Sequence, residues 1–260
     1  MSAAEGGREP EMNPMRLLVV NPNTTASMTA TIAAAACNAA SADTEIVPVT
    51  SSMGPASIEG YYDEAFAVPG LLLAIAEGEA SGADAAIIAC FDDTGLDAAR
   101  AMAGIPVLGI CEAAISLAAF VAQRFAIVTT LERSRVPIET LVQRYGMAAR
   151  CKVRAADIPV LSLEDPASGA TERLRAEIRL ALTQDGAEAI VLGCAGMACM
   201  ARELQAEFGV PVVDGVGAAV RQAEALVALN LRTSKRGAYA TPLSKPYAGI
   251  LQCFQPPIRP

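Results

Sequence analysis

The apolar positions of this chain fall into short continuous runs, and between them lie longer Ala- and Leu-bearing stretches bounded by polar or Gly/Pro turns. Arg16-Leu-Leu-Val-Val20 is a β-rich run that stops at Asn21-Pro22-Asn23-Thr24, and Met28 to Ala40 behind it is Ala-rich and helix-permissive. Thr44 to Val49 predicts a second strand, Ser51 to Pro55 its loop, and about Asp63 to Gly78 a helix with Pro69 as its start or a kink. Ala85 to Ala89 predicts a third strand that runs into Cys90, with a helix to follow at Leu96 to Met102. In the second half, Met197 to Phe208 and Ala218 to Leu229 predict helices. Strands that alternate with helices pair in parallel, because parallel neighbours need a crossover connection. The pattern predicts an α/β fold.

The pattern also repeats. Gly82-Ala-Asp-Ala-Ala-Ile-Ile-Ala-Cys90 aligns with Gly186-Ala-Glu-Ala-Ile-Val-Leu-Gly-Cys194, Gly104-Ile-Pro-Val107 with Gly209-Val-Pro-Val212, and Arg16 to Pro22 with Arg124 to Thr130. One such match says little, since α/β strands and turns draw on a small alphabet; three in the same order, with a Cys closing the same strand in both copies, argue for a duplicated half-domain. A pseudo-twofold axis between the copies would put both strand C-termini at one crevice, where open α/β sheets bind ligands. Cys90 and Cys194 would then face each other. On this division residues 16–104 and about 215–255 form the first lobe, 105–214 the second, and 1–15 a disordered tail.

Composition narrows the chemistry. The 260 residues include 20 Lys or Arg, 28 Asp or Glu and no His, for a net charge of −8. Without imidazole there is no Ser-His-Asp or Cys-His unit and no His-ligated metal site. Asp92 and Asp93 have no further ligand spaced to help them, so neither a metal nor another cofactor is expected. The acidic balance and 4% aromatic content argue against nucleic acid, and apolar runs such as Leu71 to Ala76 are too short to span a membrane. Seven scattered cysteines suit reduced thiols in the cytoplasm. Cys37, Cys111, Cys151, Cys199 and Cys253 have no equivalent counterpart in the repeat and are expected to be packing residues.

A facing thiol pair can invert a stereocentre that bears an acidic C–H: one thiolate removes the proton from one face while the other thiol returns one to the opposite face. Each cysteine precedes a predicted helix, whose N-terminal end would favour the thiolate and whose free N–H groups could hold an enolate-like oxygen. A carboxylate at Asp92 would act the other way and keep Cys90 protonated at rest. Asp93 or Thr94 is expected to cap a helix.

Val19 to Thr25, Gly54 to Glu59, Cys90-Phe-Asp-Asp-Thr-Gly-Leu96, Pro106 to Ile110 with Glu112-Ala-Ala114, and Leu192-Gly-Cys-Ala-Gly-Met197 together resemble the hydantoin and allantoin racemase family of the Asp/Glu racemase superfamily. The resemblance implies two Rossmann-like parallel-sheet half-domains and cofactor-independent racemisation of a small molecule, with Cys90 and Cys194 as the two acid/base thiols. It implies that Phe91, Asp92, Ala195 and Gly196 line the site through backbone N–H groups. It further implies that Asn21, Asn23, Ser51, Ser52, Thr129 and Thr130 contact the substrate, and that the protein is a homo-oligomer. Ala195-Gly196 stands where the glutamate enzymes have Thr-His, which points away from free glutamate and toward a 5-substituted hydantoin or allantoin. Thr94 replaces a Pro of many relatives. Two other expectations stand beside this one: a single-cysteine isomerase or decarboxylase of a small dicarboxylate, and a non-catalytic small-molecule binding protein with the same crevice.

Overall fold

Strand and helix alternate from Met15 to Ala228, as the apolar runs require. In the computed structural model, which describes residues 14–256, the first half runs β1 (Met15–Asn21), α1 (Ala26–Ala39), β2 (Thr44–Thr50), α2 (Tyr61–Ala80), β3 (Ala85–Ile88), α3 (Leu96–Met102), β4 (Val107–Gly109) and α4 (Ile110–Val121). The second half runs β5 (Phe125–Thr129), α5 (Glu132–Arg144), β6 (Cys151–Ala155), α6 (Ala170–Thr183), β7 (Ala189–Gly193), α7 (Ala201–Phe208), β8 (Val212–Asp214) and α8 (Gly215–Ala228). The strands form two parallel sheets of identical order, β2-β1-β3-β4 and β6-β5-β7-β8.

Most expected elements stand within a residue or two of their predicted bounds. α2 runs unbroken through Pro69, and the helix expected from Met197 is a 3-10 segment, Ala195–Met200, continued by α7. All but the last two residues of the expected tail, 1–15, lie outside the described residues, and Met15 already pairs with Thr44. The expected break before Ile105 comes one strand early, because Ala86 to Ile88 pair with Val107 to Gly109 and hold β4 in the first sheet. Among the described residues no helix is long and apolar enough to cross a membrane.

Period-two alternation explains how the sheets are covered. Leu17, Val19 and Ile87 of the first sheet and Ile127 and Val191 of the second share one core with residues of α1, α4 and α8. Their neighbours turn the other way: Leu18, Val20, Ala86 and Ile88 pack with Leu71 and Ile75 of α2 and Leu96 of α3, while Ala126, Val128, Ile190 and Leu192 pack with Leu174 and Ile178 of α6 and Leu204 of α7. Both faces of each sheet are therefore buried, which is why the strands read as unbroken apolar runs. The central layer belongs to both halves at once and holds the two sheets together.

α4 follows β4 as α8 follows β8, yet the two helices are capped differently. Asp214 caps its own helix, accepting the Gly217 N–H at 2.6 Å. The equivalent residue before α4 is Gly109, and there the carboxylate comes from a distance: Asp93 accepts the N–H of Cys111 at 2.9 Å and of Glu112 at 3.0 Å. An expected capping role for Asp93 is thus met at α4. α3, the next helix in sequence, begins at Gly95 with no side-chain cap. The loop that carries Cys90 is fastened to the central layer by this substitution.

Candidate active site

The segments that leave β3 and β7 converge on one cavity of about 40 Å3, and Cys90 and Cys194 both line it. Their backbones make the same turn. The Cys90 carbonyl accepts the Asp93 N–H and the Cys194 carbonyl accepts the Met197 N–H, each at 3.1 Å. Within each turn the N–H two residues on, that of Asp92 or Gly196, is placed to favour the ionised sulfur. The duplicated strand ends thus present two thiols in matching settings to a common space.

The surroundings favour the neutral thiol on both sides. Burial pushes Cys194 up to about 11 despite the Gly196 N–H, with Asp92 and Glu59 adding to the rise. Burial and the Asp92 carboxylate push Cys90 well above its ordinary value, opposed by the Thr94 hydroxyl and the Asp92 N–H. Thr94 Oγ1 is buried and has no hydrogen-bond partner among the described residues. Asp92 itself is raised to about 7, first by burial and then by Glu64 and Asp93. The expected helix end is displaced at Cys90, where α3 starts only at Leu96, whereas Cys194 stands immediately before the 3-10 segment Ala195–Met200. At both cysteines one turn N–H favours the thiolate.

Of the residues expected to bind substrate, Asn23, Phe91, Asp92, Thr129, Thr130 and Ala195 line the cavity. Asn23 spends its carbonyl oxygen on Asn21 Nδ2 and the Thr25 N–H, both at 2.9 Å. Its own Nδ2 touches only the Met28 sulfur, at 3.5 Å, which leaves a strong donor at the cavity wall. Thr129 Oγ1 donates to the Gly193 carbonyl at 3.1 Å and braces the strand end before Cys194. Gly196 lines a neighbouring cavity instead.

Three further expected residues line neither cavity. Asn21 is buried beneath the turn it shapes, donating to Asn23, the Thr25 carbonyl and Thr29 Oγ1. Ser51 turns its hydroxyl back to the Met53 carbonyl at 2.7 Å, and Ser52 is exposed. The reason is the strand order. β1, β3, β5 and β7 are central and their ends feed the cavity, whereas Ser51 and Ser52 follow β2, an edge strand.

Met28, Ile58, Ser134 and Val160 also line the cavity, unforeseen. Ile58 and Val160 come from irregular segments of opposite halves, and the Glu59 carboxylate accepts the Val160 N–H at 3.3 Å, joining those segments beside the thiols. No periodicity marks either residue. Ser134 lies in the first turn of α5, just past Thr129-Thr130, and a polar residue at that place was the one available signal. The cavity lining contains Asp92 and no Lys or Arg. A neutral, polar ring suits this lining better than a carboxylate does.

Comparison with known proteins agrees with this geometry. Residues 17–223 match the family model described as Asp/Glu/Hydantoin racemase. The chain is 50% identical over 240 residues to a hydantoin racemase of Rhizobium meliloti, covering 92% of this chain and 100% of that one. Its structure is similar to that of an allantoin racemase from Klebsiella pneumoniae, with TM-score 0.90 and 48% identity over 93% of this chain and 99% of that chain. An allantoin racemase from Pseudomonas fluorescens gives TM-score 0.87 and 42% identity, over 90% and 100%. With the fold, the paired strand-end thiols and these likenesses in agreement, the chain belongs to the Asp/Glu/hydantoin racemase family and is a racemase.

Proposed function

We propose that the protein inverts C5 of a hydantoin-type ring, a 5-substituted hydantoin or allantoin, with Cys90 and Cys194 as the two acid/base groups. One thiolate takes the C5 proton. The C–H electron pair moves toward the adjacent carbonyl to give an enolate, and the opposite thiol delivers its proton to the other face of C5. The net result is an inverted centre and a proton moved from one sulfur to the other. No further reactant is consumed, because the ring carbonyl already acidifies C5.

The observation that carries this reading is the matched pair of turns, which holds both sulfurs at one cavity with an N–H on each. Those two N–H groups stabilise whichever thiolate forms. Asn23 Nδ2 is the donor for a ring carbonyl. The Asp92 carboxyl receives no hydrogen bond among the described residues and sits at about 7, so it is protonated for part of the time near neutral pH. In that form it both donates and accepts, matching the fixed N–H and C=O edge of a cyclic imide. The reading places the enzyme in the cytoplasm, where its seven unpaired thiols stay reduced.

Single enantiomers of 5-substituted hydantoins and of allantoin, incubated with the protein in deuterated water, test the reading by optical rotation and by NMR of C5. Wild-type protein loses rotation and incorporates deuterium together. Cys90→Ala and Cys194→Ala each lose racemisation by about 100-fold or more, the usual worth of a positioned acid or base. Racemisation that persists undiminished in either variant rules out the two-thiol mechanism.

A further inference from the structure

We propose that a second cavity of about 310 Å3, adjoining the thiol cavity at Met28 and Val160, is the subsite for the C5 substituent and selects alkyl groups over ureido and charged ones. This assignment rests on the function proposed above and names its substrate class.

Space points to this place first. The thiol cavity is small, at about 40 Å3, and the larger second cavity shares its Met28 and Val160 walls. The asymmetry between the two turns shows why the opening lies on this side. Two residues after Cys90 the first half carries Asp92, whose side chain helps close the cavity. Two residues after Cys194 the second half carries Gly196, which has no side chain and lines the second cavity. A Cβ on Gly196 would lie 3.8 Å from Cys194 Sγ and 3.1 Å from Leu163 Cδ1, so the missing side chain leaves a passage beside the sulfur.

The walls then set the chemistry. Met28, Val160 and Leu163 supply apolar surface, Ser27 and Thr31 stand with them, and among the described residues no Lys, Arg, Asp or Glu lines the cavity. Thr31 Oγ1 already donates to the Ser27 carbonyl at 3.3 Å. An alkyl group entering here removes apolar surface from water on both sides. A carboxylate brings a charge with no cation in the described lining to offset it, and a ureido group brings three N–H donors against two hydroxyls. Met28 is unbranched and adapts to the shape of the alkyl chain.

The test is kcat/KM for C5 deuterium exchange across 5-methyl-, 5-ethyl-, 5-isobutyl- and 5-carboxymethylhydantoin and allantoin, with wild type and Leu163→Asn. For wild type we expect a rise of about tenfold or more from methyl to isobutyl, in line with what added methylenes contribute in an apolar pocket. Allantoin should fall below the isobutyl ring and carboxymethyl lowest of all. Leu163→Asn should lower the isobutyl value about tenfold, leave the methyl value within about twofold, and narrow the gap to allantoin. Circular dichroism and the retained methyl activity separate this from misfolding. A flat alkyl series, a preference for allantoin, or equal losses on methyl and isobutyl rings overturn the subsite while leaving the racemase reading intact. No exchange on any ring, 5-methylhydantoin included, removes the racemase reading and this assignment with it.

Discussion

Tyr145 donates its hydroxyl to Asp93 Oδ2 at 2.7 Å, and so joins the loop behind Cys90 to the segment between α5 and β6 in the other half of the chain. Asp93 is buried, and its carboxyl is raised to about 6 by burial, held down in part by Tyr145 and by the N–H groups of Cys111 and Glu112. Three donors therefore converge on one carboxylate, and the reactive loop takes its position from them. The backbone at Asp93, with φ of 46°, is strained for a residue with a side chain, which the capping bonds offset.

Tyr145→Phe should weaken the fold in a pH-dependent way. The hydroxyl favours the ionised form of Asp93, so its loss raises that carboxyl further. An acid held above its unfolded value costs stability as pH rises, starting near the unfolded value and complete once the folded group has ionised. The deficit of the variant should therefore be small near pH 4 and reach about 1.5–3 kcal/mol above pH 7, the worth of a hydrogen bond to a charged group. Urea melts of both proteins at pH 4.5 and 8 measure it, and an equal deficit at the two pH values would contradict the charged-acceptor account.

Gly109→Ala should be far more damaging than Gly209→Ala, although the repeat aligns the Gly104 and Gly209 segments and gives Gly109 no special mark. A Cβ at Gly109 would lie 2.2 Å from Asp93 Oδ1 and 2.3 Å from its Cγ, in the seat of the remote cap. Gly209 has φ of 67° and open space around it, so alanine there meets only backbone strain. Thermal melts should show a loss of about 1 kcal/mol at Gly209 and about 3 kcal/mol or more at Gly109, where a buried carboxylate loses its partners. Racemisation should fall with the second alone.

Thr94→Val tests whether the hydroxyl beside Cys90 serves chemistry or packing. Oγ1 is buried without a hydrogen-bond partner among the described residues, and it favours the Cys90 thiolate. Removing a poorly partnered buried hydroxyl should leave Tm unchanged or raise it. Racemisation should nevertheless slow about fivefold, as one hydrogen bond of about 1 kcal/mol is lost from the charged form. Enantiomers have equal free energy, so kcat/KM must fall by the same factor in both directions. A loss of stability with unchanged rates would make the residue structural.

How far the sequence reaches is decided by which forces are local. The strands and their parallel pairing follow from apolar runs and crossover rules, and the duplicated Cys90 and Cys194 blocks place both thiols because a strand end is a fixed address in this fold. Asn21 and Asn23 show the limit: the same motif holds both, but turn geometry sends one inward to scaffold the loop and the other to the cavity wall. Ser51 and Ser52 follow a real strand, yet it is an edge strand whose end lies away from the centre. Ile58 and Val160 reach one cavity from segments far apart in sequence, joined by the hydrogen bond from Val160 to Glu59, and no local pattern encodes that. Asp93 caps a helix, as a short acidic side chain in such a loop is apt to do, but the choice of α4 over α3 depends on the missing side chain at Gly109.

Asp92→Asn should raise stability and activity together above neutral pH. In the fold this carboxyl is held at about 7 against an ordinary 3.8, so protonation favours the folded state and ionisation opposes it. The cost is absent below pH 4, grows as pH rises from 4 to 7, and amounts to roughly 4 kcal/mol beyond that. Asparagine cannot ionise, and the variant's advantage should follow the same curve in denaturant melts from pH 4 to 8. The same charge raises both thiols, so its removal makes each thiolate easier to form. The rising limb of the pH–rate profile should move to lower pH, with kcat higher at pH 8. KM should change little, because a carboxamide still offers one donor and one acceptor to the ring edge. A limb that stays in place would show that Asp92 does not set the thiol ionisation, and a large rise in KM with no shift would make it a binding group alone.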